Sequence, residues 1–134
     1  MFVILLFSAV VLAQQSGAEK QSTVEAIEPV SGKQLYSSHC APCHGPDGKG
    51  GGPLATQLKV WPPDLTQLAK KNKGVFPSMR IAAVIDGEFD KAAHGSREMP
   101  IWGPVFRSMA HGHSDSAQLR INRVVKYLES LQQK

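Results

Sequence analysis

The chain has 134 residues, room for one small domain and no second. With 42% hydrophobic and 19% charged residues it is a globular mixture, which excludes a disordered chain and a transmembrane bundle. A net charge of +4 suits acidic partners but falls well short of a nucleic-acid-binding balance.

Residues 2–13 are almost entirely apolar and lead into Gln14-Gln15-Ser16-Gly17. As a helix this run reaches only about 18 Å, too short for a hydrocarbon core of roughly 30 Å. Val11 and Ala13 supply small residues before a cleavage point, so residues 1–13 are predicted to be a secretory signal peptide. No Lys or Arg precedes the run, so either the signal is atypical or the true start lies upstream. The expected location is periplasmic or otherwise exported, with no stable membrane insertion after the signal is removed. Residues 14–29 read as a flexible leader, and residues 30–134 as the folded domain.

Ser31 is placed to cap a short helix through Leu35 and Tyr36 to about Cys40. The stretch from Gly45 to Pro53 is too rich in Gly and Pro for regular helix or strand. Asp64 is predicted to cap a helix through Leu65, Leu68 and Ala69 that ends near Gly74. Ser78, after Pro77, starts another that carries Ile81, Ala82 and Ile85 and stops at Gly87. Irregular sequence is expected from Glu88 to about Ser114. Asp115 and Gln118 then have capping-box spacing, and Ile121, Val124, Val125, Leu128 and Leu131 recur at helical intervals. No two-residue alternation occurs, so the fold class is all-α with long loops. Loops of that length call for something else at the centre of the domain, such as a bound cofactor.

Both cysteines fall in one pentapeptide, Cys40-Ala41-Pro42-Cys43-His44. A C-x-x-C-H run is the spacing of c-type haem attachment. Two thiols on one helical turn each reach a vinyl group of the same porphyrin, and the next imidazole reaches the iron. The rivals explain less. A thioredoxin-type pair calls for a preceding strand, a structural zinc site for four ligands, and a plain disulfide leaves His44 without a role.

The chain from Val30 to about Leu131 resembles the class I cytochromes c. Besides the pentapeptide, Gly32 and Tyr36 match the glycine and aromatic of the family's N-terminal helix, and Val124, Tyr127 and Leu128 match its C-terminal partner positions. The resemblance implies a cytochrome c fold: three to five short helices and long loops around one covalently attached haem c, with the terminal helices packed together. It implies Cys40 and Cys43 as thioether donors and His44 as the proximal iron ligand. It also implies that the carbonyl of Pro53 accepts a hydrogen bond from that imidazole. Met99-Pro100-Ile101-Trp102-Gly103 is similar to the family's segment for the second axial ligand, which makes Met99 the distal ligand. Independently, Pro100 restricts Met99 to extended backbone, and Trp102 offers the loop an apolar anchor. The competing positions are Met79, which reads as a helix-face residue, Met109, His111 and His113; His39 and His94 read as surface or hydrogen-bonding residues. Trp61, Leu65, Ile81, Ile85 and Phe106 are candidates for the pocket wall, and Arg97 for a propionate partner.

The function implied is that of an electron carrier, not an enzyme, making transient contacts with a redox donor and acceptor and none with nucleic acid. The alternatives are a haem sensor or peroxidase-like protein with an open distal site, or a soluble haem subunit of a larger respiratory enzyme.

Overall fold

A computed structural model describes residues 29–88, 99–109 and 116–133. Residues 1–13, predicted as a signal peptide, most of the predicted leader, His94, Arg97, His111, His113 and Asp115 lie outside the described residues.

The first helix, α1 (Gly32–His39), begins with reciprocal capping. The Ser31 hydroxyl accepts from the Gln34 N–H, and the Gln34 side chain accepts from the Ser31 N–H. Its inner face buries Leu35 and Tyr36. One residue later, α2 (Ala41–His44) makes a single turn that Pro42 tolerates, because a first-turn N–H needs no helical partner.

So short a helix leaves its carbonyls without intrahelical partners, and the glycine-rich loop supplies them. Gly45 N–H donates to Ala41, Leu54 N–H to Pro42, Gly52 N–H to Cys43 and Gly50 N–H to His44, all at 2.7–3.1 Å. Gly50, at φ +94, leaves no room for a side chain, because one would overlap the Pro62 carbonyl. The loop is thus a backbone cradle for the Cys40–His44 turn.

A 3-10 turn over Ala55–Gln57 follows. Asp64 then caps as expected, accepting from Thr66 N–H at 2.8 Å. The predicted continuous helix is instead a 3-10 turn, Leu65–Gln67, running into α3 (Leu68–Lys71). It stops before Gly74 because Lys73 already has φ +56, outside the helical range. Helix α4 (Ser78–Asp86) starts at Ser78, directly after Pro77, and ends at Gly87 in the left-handed region, both as its sequence predicts.

The segment expected to be irregular contains α5 (Trp102–Met109). Gly103-Pro104 reads as a break, but both residues fall in the first turn, where no intrahelical N–H bond is lost. Trp102 and Phe106 then share one face, with ring centroids 6.2 Å apart. The last helix, α6 (Ala117–Ser130), is capped by Ser116, whose hydroxyl accepts from Leu119 N–H at 3.3 Å, not by the predicted Asp115–Gln118 pair.

Among the described residues there are six helices and no strand, so the chain is all-α. The count exceeds the expected three to five because α2 is a separate turn and α5 was read as loop. Helices α1, α4 and α5 all pack on α6. Where α1 crosses α6, a side chain on Gly32 would overlap the Arg123 carbonyl oxygen and lie 2.6 Å from its carbon. The core gathers Leu35, Tyr36, Ile85, Phe106, Ile121 and Val124, with Cys40 at its edge. Beyond α6, Gln132 donates to the carbonyls of Leu65 and Leu128 and accepts from Ala69 N–H, tying the C-terminal segment to the chain after Pro63.

Candidate haem site

Two helices and one loop position the pentapeptide. Cys40 N–H donates to Tyr36 at the end of α1, and His44 N–H donates to Cys40 at 2.8 Å, so both thiols and the imidazole share one turn. Cys40 and His44 are buried and Cys43 is half-buried. Both thiols are free. Burial, reinforced by Cys43, pushes the Cys40 thiol up to about 12 and keeps it protonated.

Burial likewise holds the His44 imidazole below its ordinary range, partly opposed by a bond to the backbone of Pro63. Its Nδ1 lies 3.4 Å from the Pro63 carbonyl. In the tautomer that donates from Nδ1, Nε2 keeps its lone pair for a metal. The resemblance had implied this acceptor at Pro53. Pro53 instead sits exposed on the loop that folds back over α2, and the chain returns to the imidazole only at Pro62-Pro63.

Met99 lies three residues before α5 and is 37% exposed. Met79, on α4, points outward at 86% exposure, as its helix-face reading implies. Met109 closes α5, and its carbonyl accepts from Arg120 Nη2 at 3.3 Å. His39 is half-buried among aromatics, its ring 5.0 Å from Trp102 and 5.4 Å from Phe106. Of the proposed wall, Ile85 and Phe106 are buried, Leu65 and Ile81 pack against the core, and Trp61 is exposed. Trp102 and Phe106 of α5 both lie against the His39 ring, which anchors α5 on α1.

Sequence reasoning missed three features. The Pro63 carbonyl is a backbone group, invisible to residue-type arguments. Arg120 is buried on α6 with its Nε unpartnered, although its position in the helical period was the available signal. The contact between Asp86 and Gly103 joins α4 to a segment read as loop.

Adjacent free thiols and a buried imidazole with one nitrogen turned to a carbonyl fit a covalent haem. Of the three rivals, the redox pair lacks a strand before Cys40 and the zinc site a cluster of three or more His, Cys, Asp and Glu side chains among the described residues, and the two thiols are not bonded to each other. An all-helical domain built around C-x-x-C-H defines a c-type cytochrome. Residues 28–128 match the family described as cytochrome C oxidase, cbb3-type, subunit III, and the chain belongs to that family. No match is found among curated proteins or solved structures. Among the described residues, no helix is long and apolar enough to cross a membrane. The family assigns the chain to haem-based electron transfer.

Proposed function

We propose that the protein is an exported electron carrier holding one haem c, attached through Cys40 and Cys43 and ligated axially by His44 and Met99. The observation that carries this reading is the Pro63 carbonyl facing His44 Nδ1, which fixes the ring and leaves the opposite nitrogen for iron. When bound, haem supplies a one-electron ferric–ferrous couple, and a thioether ligand raises its potential. His44 keeps its orientation because α2 is held at every carbonyl by the loop. Met99 closes the distal side against small ligands, so no substrate site is needed. Donor and acceptor meet the protein through weak, short-lived contacts. Residues 1–13 serve as the signal, so the mature chain begins near Gln14; an intact mass that retains them contradicts this.

The test of the ligand set is carbon monoxide binding to the ferrous protein, together with the weak far-red band of ferric iron–thioether ligation. The native protein is expected to resist carbon monoxide and to show the band, and Met99→Ala to bind the gas readily and lose the band. Retention of the band in Met99→Ala with its loss in Met109→Ala reassigns the ligand. Ready binding by the native protein favours the sensor or peroxidase-like alternative.

A second reading has one observation in its favour: the matched family is described as an oxidase subunit. If this domain is a fixed subunit, it will co-purify with a larger complex from its own host at moderate salt; a free carrier will elute as a small protein.

A further inference from the structure

A methionine is a loosely specified ligand. Its unbranched side chain has three rotatable bonds, whereas an axial sulfur must be held within about 0.5 Å of its productive place. Met99 and Pro100 are both exposed, so their own surroundings do not supply that constraint. The first anchored residues after them are Ile101 to Gly103: Trp102 lies against His39 of α1, while Ile101 and Gly103 meet the end of α4.

Two glycines make the junction. Gly87 stands at φ +89, and a side chain there would overlap Ile101 Cγ2. A side chain on Gly103 would overlap Asp86 Oδ1 and lie 2.6 Å from the Asp86 carbonyl oxygen. Bare glycine backbone therefore lies against the Ile101 side chain at one point and against the Asp86 carboxylate and carbonyl at the other, which leaves little freedom for sliding. One turn further along α5, Arg107 Nη1 donates to the same Asp86 Oδ1 at 2.8 Å. The Asp86 side chain is only 15% exposed, while Arg107 is 55% exposed and reaches in from solvent. Asp86 thus touches α5 through its carbonyl and its carboxylate together.

We propose that this junction of Asp86, Gly87, Gly103 and Arg107 is the device that holds Met99 at the iron, which makes Asp86 and Gly103 positioning residues for the axial ligand. The proposal rests on the reading of Met99 as that ligand. Rotation or lifting of α5 from α4 carries Ile101 with it, and through the stiff Pro100 it displaces the Met99 backbone. The junction raises the strength of the iron–sulfur bond without touching the iron.

Imidazole competes with the internal thioether for ferric iron, so its apparent affinity in the loaded protein reads the strength of that bond. Met99→Ala is expected to raise the affinity most. Gly103→Ala and Asp86→Ala are each expected to raise it at least about ten-fold, with weakening of the far-red band. Arg107→Lys, which keeps a cation beside Asp86, is expected to raise it less than Asp86→Ala. Leu128→Ala serves as the comparison, since it cuts a buried side chain of α6 that is not among the residues meeting at the junction. If Gly103→Ala does not mature, Asp86→Ala carries the test. Native affinity in Asp86→Ala and in any Gly103→Ala that matures, alongside a raised value in Met99→Ala, overturns the role of the junction and leaves the ligand standing. An equal rise in Leu128→Ala also overturns it, because general loosening then suffices. Unchanged affinity in Met99→Ala removes the ligand reading itself.

Discussion

The Tyr36 hydroxyl donates a 2.6 Å hydrogen bond to the carbonyl of Gly45, joining the middle of α1 to the residue that ends the Cys40–His44 turn. The ring has no exposed surface and lies 5.2 Å from Tyr127 of α6, so one side chain locks both helices and the haem-site turn together. Burial raises the Tyr36 pKa far above its ordinary value, and the group remains a donor throughout the accessible pH range. Tyr36→Phe keeps the packing and removes this bond, leaving the Gly45 carbonyl only the Gly48 N–H at 3.2 Å. It is expected to lower stability by about 1 kcal/mol. Urea denaturation checks this, with a lower midpoint and an unchanged slope.

At Gly32 the backbone of α1 lies directly against that of α6. Gly32→Ala forces a methyl group onto the Arg123 carbonyl, and neither helix backbone can yield without moving the other. The expected loss is about 3 kcal/mol, at the upper end for overpacked sites. A fall in thermal midpoint larger than that of Tyr36→Phe, in proteins matured in parallel, checks it.

Neighbouring glycines of the cradle should respond differently. Gly50 has φ +94 and lies against the Pro62 carbonyl, whereas Gly51 has open space around it and no such backbone requirement. Gly51→Ala is expected to change stability by no more than about 0.5 kcal/mol. Gly50→Ala should destabilise clearly and, by displacing Pro62-Pro63, disturb the carbonyl facing His44 Nδ1. Proton NMR of the ring N–H distinguishes the two.

Asp64 gives the acid limb of stability a specific contributor. Its carboxylate accepts from the Thr66 hydroxyl at 2.6 Å, and this bond, with the Thr66 N–H and the nearby Lys71 and Lys49, holds its pKa below the usual range despite some opposing burial. The folded protein therefore binds that proton more weakly than the unfolded chain does. The stabilisation is complete above the ordinary aspartate pKa and is lost as pH falls through the lower folded value. Asp64→Asn is expected to be less stable than the native protein near neutrality, and the gap should close under acid. Urea midpoints at pH 7 and pH 3 check the sign.

The legible parts of the sequence were those set by residue type and spacing. The Ser31 cap, the Gly87 stop and the face of Ile121, Val124, Val125 and Leu128 follow from local rules, and the structure has them where those rules put them. The Cys40–His44 pentapeptide was legible because its chemistry demands one spacing. What was hidden depends on backbone atoms meeting across the fold. The acceptor for His44 is a carbonyl, and nothing in the side chains of Pro53 and Pro63 separates them before the loop is folded. Helix α5 was hidden because Gly103-Pro104 breaks a helix interior but not a first turn. Gly103 serves a different need there, the close approach of Asp86.

The most direct test of the account is acid–acetone extraction of the denatured protein, followed by intact mass measurement of the polypeptide. Attachment through Cys40 and Cys43 predicts that the pigment stays in the protein precipitate, that the mass exceeds the chain by one haem, and that Cys40→Ala or Cys43→Ala impairs maturation. Pigment released entirely into the organic phase, with a polypeptide of unmodified mass, contradicts it.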